Sequence, residues 1–182
     1  MTRGPTLRAH HLSSLPKPLD AFNTAPADEA RALLLHCLSS LRWSGRVAEH
    51  RPYPDVDALL AAADEAAYDL SPLDLAEALA GESLPELPED TYSAAHMALS
   101  AAHAAYESRF GHAFVLYLGD VHPAEALDHT LEAIRSRLAN DPEEERVIAA
   151  EELRRLAGER LAHLPGATGT CTTSPNAPVS GK

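Results

Sequence analysis

Nearly every apolar stretch of this chain is bracketed by helix punctuation, and the one stretch that is not has nothing to pair with. Ser71-Pro72-Leu73-Asp74 is a capped start with proline at the first helical position, and Gly81 stops the helix that it opens. Asp55 caps a second helix, with Val56, Leu59, Leu60, Ala63 and Ala67 on one face. Asp141-Pro142 caps a last helix reaching about His163. A long helix is predicted from about Thr91 to Phe110, where Gly111 suits a left-handed stop, and Pro123 opens another to Leu138. Upstream, a helix from about Pro26 to Leu41 has Thr24 as its cap and Asp28 and Glu29 in its positive first turn. A short one follows from about Ser44 to Glu49. The exception is Phe114-Val115-Leu116-Tyr117-Leu118, which could be extended, but no other segment offers it a partner strand. The expectation is an all-α, single-domain bundle of seven or eight helices.

Composition agrees. Ala and Leu supply most of the apolar residues and only 5% are aromatic, which favours helix, since strands draw on β-branched and aromatic side chains. At 182 residues the chain suits one domain with a sizeable core. Residues 1–18 hold Pro5, Pro16 and Pro18 without a period and read as an irregular arm. Residues 19–164 form the domain, and the small, polar residues 165–182 read as a disordered tail. A net charge of −12 argues against nucleic acid, whose phosphates need basic surface. No apolar run approaches membrane-spanning length, and the N-terminus lacks the hydrophobic stretch of a signal peptide. Cys37 falls inside a helix and Cys171 in the tail, so no disulfide framework is expected and the compartment reads as reducing cytoplasm.

Chemistry concentrates in a few places. On the last helix Ala149, Leu153, Leu156, Arg160 and Leu164 recur at steps of three and four, which puts a cation on the apolar stripe. A buried charge needs a partner. For Arg160 that is an acidic substrate or a structural carboxylate, unless the side chain snorkels from the stripe's edge. At the Gly111 turn, backbone N–H groups, an aromatic ring and the His112 imidazole gather at one helix end, as in a small-ligand pocket. The plainer alternatives are a buried linker and a histidine that caps the helix carbonyls. His96 and His103 share one helical stripe with Leu99, Tyr106 and Phe110, so they are either core-edge residues or proton donors. A metal site from His96, His103 and His112 matches no standard ligand spacing, and no cofactor motif is present. Glu143-Glu144-Glu145 reads as the acidic first turn of the last helix.

Three stretches carry a family likeness. Tyr106-x-x-Arg109-Phe110-Gly111-x-x-Phe114-Val115, then Leu138-Ala139-Asn140-Asp141-Pro142-Glu143-Glu144-Glu145-Arg146, then Ala150-Glu151-Glu152-Leu153-x-x-Leu156-x-x-x-Arg160-Leu161 resemble OHCU decarboxylases. Those enzymes convert 2-oxo-4-hydroxy-4-carboxy-5-ureidoimidazoline to allantoin at the end of urate breakdown. Asn23, Leu38-Ser39-Ser40-Leu41-Arg42-Trp43 and Arg51-Pro52-Tyr53 agree with the same family, so the resemblance runs over residues 19–164.

The resemblance implies a cofactor-free decarboxylase with the helical fold of that family, a small anionic substrate and a homodimer. It puts Arg160 at the family's catalytic arginine, and it makes Phe110 and the run Phe114, Val115, Leu116, Tyr117 and Leu118 substrate-binding, partly through backbone. His112-Ala113 stand where the family has Phe-Pro. The family's acid/base histidine, followed by proline, falls on Glu82-Ser83, and its Glu-Gln pair has no counterpart. Loss of carbon dioxide leaves an electron pair that must be protonated at carbon. The candidate donors are Glu82, His103, which stands where relatives tend to have asparagine, and His112. Two further readings follow from the missing histidine: a small-anion-binding protein without catalysis, and an enzyme repurposed for another small carboxylated substrate.

Overall fold

The structure, a computed structural model, describes residues 18–83, 93–119 and 121–163. Among them are eight helices and no strand: α1 (Pro18–Thr24), α2 (Ala27–Cys37), α3 (Leu41–Glu49), α4 (Val56–Tyr68), α5 (Pro72–Ala80), α6 (Ser93–Phe110), α7 (Ala126–Arg137) and α8 (Pro142–Ala162). The expected all-α fold is what forms. The expected arm and tail, the loop from residue 84 and the start of the long helix at Thr91 lie outside the described residues.

The starts read from the sequence hold wherever a side chain closes the first turn. Asp55 accepts from Ala58 N at 2.7 Å. Ser71 and Asp74 cap each other's backbone in a reciprocal box with Pro72 at the first position. Asp141 accepts from Glu143 N at 2.9 Å. The N-terminal third differs from expectation. The helix expected from Pro26 to Leu41 ends at Cys37, because Ser40 caps α3 instead by accepting from Trp43 N. Thr24 does not cap α2: its hydroxyl donates back to Asp20 O, as the last residue of the unforeseen helix α1. Seven residues are too few to show a period or to hold a helix alone. Here α1 is held by tertiary contacts, in which Asn23 exchanges hydrogen bonds with the Tyr53 backbone and Arg51 donates to Phe22 O and Ala25 O.

Two cores result. In the larger, α8 lies against α2 and α4, with α3 between those two. Leu34, Leu38, Trp43, Val47, Leu59, Leu79, Leu153 and Leu161 fill it, and Trp43 Nε1 donates to Ala63 O at 2.8 Å. The smaller core joins α6 to α7 through Leu99, Tyr106, Phe114 and Ile134. Gly111 has φ +77°, the left-handed stop that lets the chain leave α6 and run out as residues 113–118. Successive residues of that run face opposite ways, so Phe114 enters the smaller core while Val115 enters the larger. The run is a seam between two cores, which is why it needs no partner strand.

The buried face of α8 is Glu145, Ala149, Leu153, Ala157 and Leu161. This corrects the expected stripe: Leu156 and Arg160 flank it half-buried, one helical step away, and Leu164 is outside the described residues. Glu145 lies in the acidic first turn, as expected, and is fully buried there.

Candidate functional site

A cavity of about 550 Å³ opens beside the seam. Its walls are Glu82 and Ser83 after α5, Phe114, Val115, Leu116, Leu118 and Gly119 of the seam, Thr130 of α7, and Leu156, Glu159 and Arg160 of α8.

Glu82 reaches this cavity because of the residue before it. Gly81 closes α5 against the turn between α2 and α3, where an added Cβ would stand 2.3 Å from Ser39 Cβ. A side chain there has no room, so the glycine serves a close approach and not a left-handed turn. The chain therefore leaves α5 pressed against the α2–α3 turn at Ser39, and Glu82 turns toward α8. Arg160 meets it with both arms of its fork: Nη1 donates to Glu82 Oε1 and Nη2 to Oε2, each at 2.8 Å. Nη1 also donates to Cys37 O at 3.1 Å, at the end of α2. The Glu82 side chain is 6% exposed and that of Arg160 37%. Hydrogen bonding to Glu82 is the largest influence on Arg160 and pushes its pKa up, so the cation is held firmly protonated. The anion that Arg160 requires is thus supplied from within the chain, where an acidic substrate was the simplest expectation. Glu82 in turn is a member of this ion pair with its side chain nearly buried.

Cys37 carries no nucleophile into the site. Burial pushes its thiol up to about 11, only partly offset by Arg160, so the sulfur stays protonated near neutrality.

Two charged side chains brace the seam. Arg137 Nη1 donates to Val115 O at 2.7 Å, and Glu152 Oε2 accepts from Tyr117 N at 2.6 Å. These bonds take up polar groups of alternate residues. Phe114, Val115, Leu116 and Leu118 line the cavity, and Tyr117 does not. Arg137 is itself held by Glu145, which also accepts from the Tyr106 hydroxyl and from Asn140 Nδ2.

Of the three candidate proton donors, only Glu82 lines this cavity. His103 is 2% exposed in the smaller core, its ring centroid 6.0 Å from that of Phe114 and its Nε2 without a hydrogen-bond partner. Burial lowers its pKa against the raising influence of Glu107, so the ring is neutral. His112 packs edge-on against Tyr106, with Nδ1 3.0 Å from Ala113 O instead of the α6 carbonyls. Phe110 and His112 belong to a separate hollow of about 280 Å³ against α5. Among the described residues no group of three His, Cys, Asp or Glu side chains is placed to hold a metal ion, and no helix is long and apolar enough to cross a membrane.

Sequence reasoning missed Thr130 and Glu159 in the cavity and the Arg137–Glu145 brace behind it. The brace had a signal. Glu145, Ala149 and Leu153 step by four, so the spacing that singled out Arg160 also placed a carboxylate on the buried face. Thr130 had none, because its place depends on how α7 packs.

The sequence profile of OHCU decarboxylase matches residues 23–94 and 86–162 in two overlapping segments. No curated protein sequence matches the chain. Among solved structures, a crystal structure of OHCU decarboxylase in the presence of (S)-allantoin superposes with a TM-score of 0.63 at 20% identity, covering 77% of this chain and 98% of that one. A crystal structure of (S)-allantoin synthase gives 0.59 at 21% identity, covering 79% and 52%. The chain thus spans about half the length of the allantoin synthase. At such identities the likeness speaks for the fold.

Proposed function

The chain belongs to the OHCU decarboxylase family, and from that premise we propose that it is a cofactor-free decarboxylase of a small carboxylated ureidoimidazoline, of the type that yields (S)-allantoin. The observation that carries this reading is the two-point contact between Glu82 and Arg160 on the wall of the cavity. In the reaction the bond from the ring carbon to the carboxylate breaks, carbon dioxide leaves, and the electron pair stays on the ring, delocalised into the adjacent C=N. One proton is then taken up at the ureido-bearing carbon of that C=N as the neighbouring hydroxyl carbon becomes a carbonyl, and the face that receives it sets the stereocentre. The protein's tasks are to hold the heterocycle, to polarise the oxygen or nitrogen that gains charge, and to deliver the proton. Arg160, through the heterocycle's carboxylate, and backbone groups of the seam suit the first, and Glu82 suits the third. Glu82 replaces the family's histidine in that role. A homodimer belongs to the same proposal on family resemblance alone, and a cytoplasmic setting on the cysteine pattern.

The test is to generate the unstable ureidoimidazoline in situ and follow the circular dichroism of allantoin. The wild type should outpace the spontaneous reaction, and Glu82→Gln should lose about 10²–10⁴-fold, the usual contribution of a positioned acid or base. A wild-type rate no faster than the spontaneous one sinks the proposal and leaves the binding and repurposed readings.

A further inference from the structure

Building on that reading of the cavity, we infer that Glu82 occupies the seat that a ligand's carboxylate takes on Arg160, so that binding exchanges one carboxylate for the other and brings a proton in with the ligand. The contact between Glu82 and Arg160 is the fork-to-fork geometry that a bound carboxylate would make. The two partners differ in freedom. Arg160 is also tied to Cys37 O, whereas Glu82 is the second residue past the end of α5, and among the described residues its carboxylate accepts from Arg160 alone. When the pair parts, Glu82 moves and Arg160 stays.

Charge makes the exchange necessary. Among the described residues, the charged side chains around the cavity are Glu82, with Glu159 and Arg160 from α8. The seam and α7 contribute none, and the Cys37 thiol from α2 is held neutral by burial. A ligand carboxylate added without displacement would put three carboxylates around one guanidinium. A carboxyl group displaced from its cation into a largely apolar wall of Leu116, Leu118 and Leu156 takes up a proton. The cycle then balances. The ligand carboxylate and one proton enter, and Glu82 becomes the neutral acid. Carbon dioxide leaves, Glu82 gives its proton to the ring carbon, and the resulting carboxylate returns to the vacated guanidinium. The product has no carboxylate with which to contest that seat.

Titration calorimetry of the intact chain tests this with two unreactive probes of similar shape, orotate (carboxylated) and uracil (neutral), in buffers of different ionisation enthalpy. Orotate should bind the wild type with uptake of one proton, and its affinity should fall about tenfold per pH unit from pH 6 to 8. Uracil should bind without that linkage. Glu82→Gln should bind orotate more tightly and abolish the uptake, while Glu159→Gln should keep it. Orotate binding without proton uptake, or no more tightly than uracil, overturns the exchange even if the chain turns substrate over. Uptake without turnover keeps the exchange and sinks the decarboxylase.

Discussion

Two of the arginine–glutamate pairs close to the seam, Arg137 with Glu145 and Arg160 with Glu82, are built for opposite ends. Arg137 and Glu145 are sealed, with side chains 8% and 0% exposed. Their hydrogen bonds end on Tyr106 of α6, Asn140, and the carbonyl of Val115, and the guanidinium lies 4.5 Å from the centre of the Phe114 ring. Burial first, and hydrogen bonding to Glu145 second, push the Tyr106 hydroxyl's pKa up, so it donates to the carboxylate at every ordinary pH. Arg160 and Glu82 have the same chemistry, but the Arg160 side chain is 37% exposed and borders a cavity. A fully committed pair fixes geometry. A pair with one face uncommitted can meet a ligand.

Breaking the sealed pair should have the largest effect. Glu145→Ala leaves Arg137 buried without its carboxylate, a change that costs roughly 3–5 kcal/mol. It should also loosen the seam that Arg137 holds at Val115. Denaturant unfolding reads the loss, and a cost under about 1 kcal/mol would erase the contrast, since that is the worth of an exposed pair.

The open pair should respond in function instead. Arg160→Lys keeps the charge and forfeits the planar fork, so turnover or orotate affinity should fall roughly ten- to a hundredfold, the worth of a hydrogen bond to a charged group. The unfolding midpoint should stay near the wild-type value. If Arg160→Lys unfolds the chain as Glu145→Ala does, both pairs are structural.

The smallest effect concerns His103, which lies in the same small core as the sealed pair but has no partner for Nε2. Its folded pKa is lowered, so below the unfolded value of about 6.5 the unfolded chain binds more protons than the folded one. Stability from this group is therefore complete above about pH 6.5 and is lost as pH falls toward the folded pKa. His103→Leu removes both the orphaned nitrogen and the titration. It should leave stability at pH 7 within about 1 kcal/mol of wild type and flatten the acid side of the stability profile. An unchanged acid limb would show that His103 is hydrated or paired in solution.

What could be read in advance follows the range of the forces involved. Asp55, Ser71 with Asp74, and Asp141 each close a first turn with a bond spanning two or three residues, so the sequence states them directly. Gly111 is equally local, a backbone angle that glycine accepts at little cost. Arg160 was legible as a cation at the edge of an apolar stripe, and family likeness gave it a role. Its partner was not legible, because 78 residues separate Arg160 from Glu82. Nothing in either neighbourhood states that Gly81 will press α5 onto Ser39 and aim the next side chain at α8. Helix α1 was missed for the same reason, since it is held by Tyr53 and Arg51, some thirty positions away.

By itself, then, the sequence determined an all-helical chain, most of the helix starts, the break at Gly111 and the family, because capping, propensity and periodicity act within a turn or two of helix. Only the tertiary structure decided which charges meet. Glu145 and Glu82 are both carboxylates, yet one was enclosed with Arg137 behind the seam and the other was left facing a cavity with Arg160. That choice belongs to packing: desolvation and pairing depend on what surrounds a charge in space, and neighbours along the chain do not reveal it.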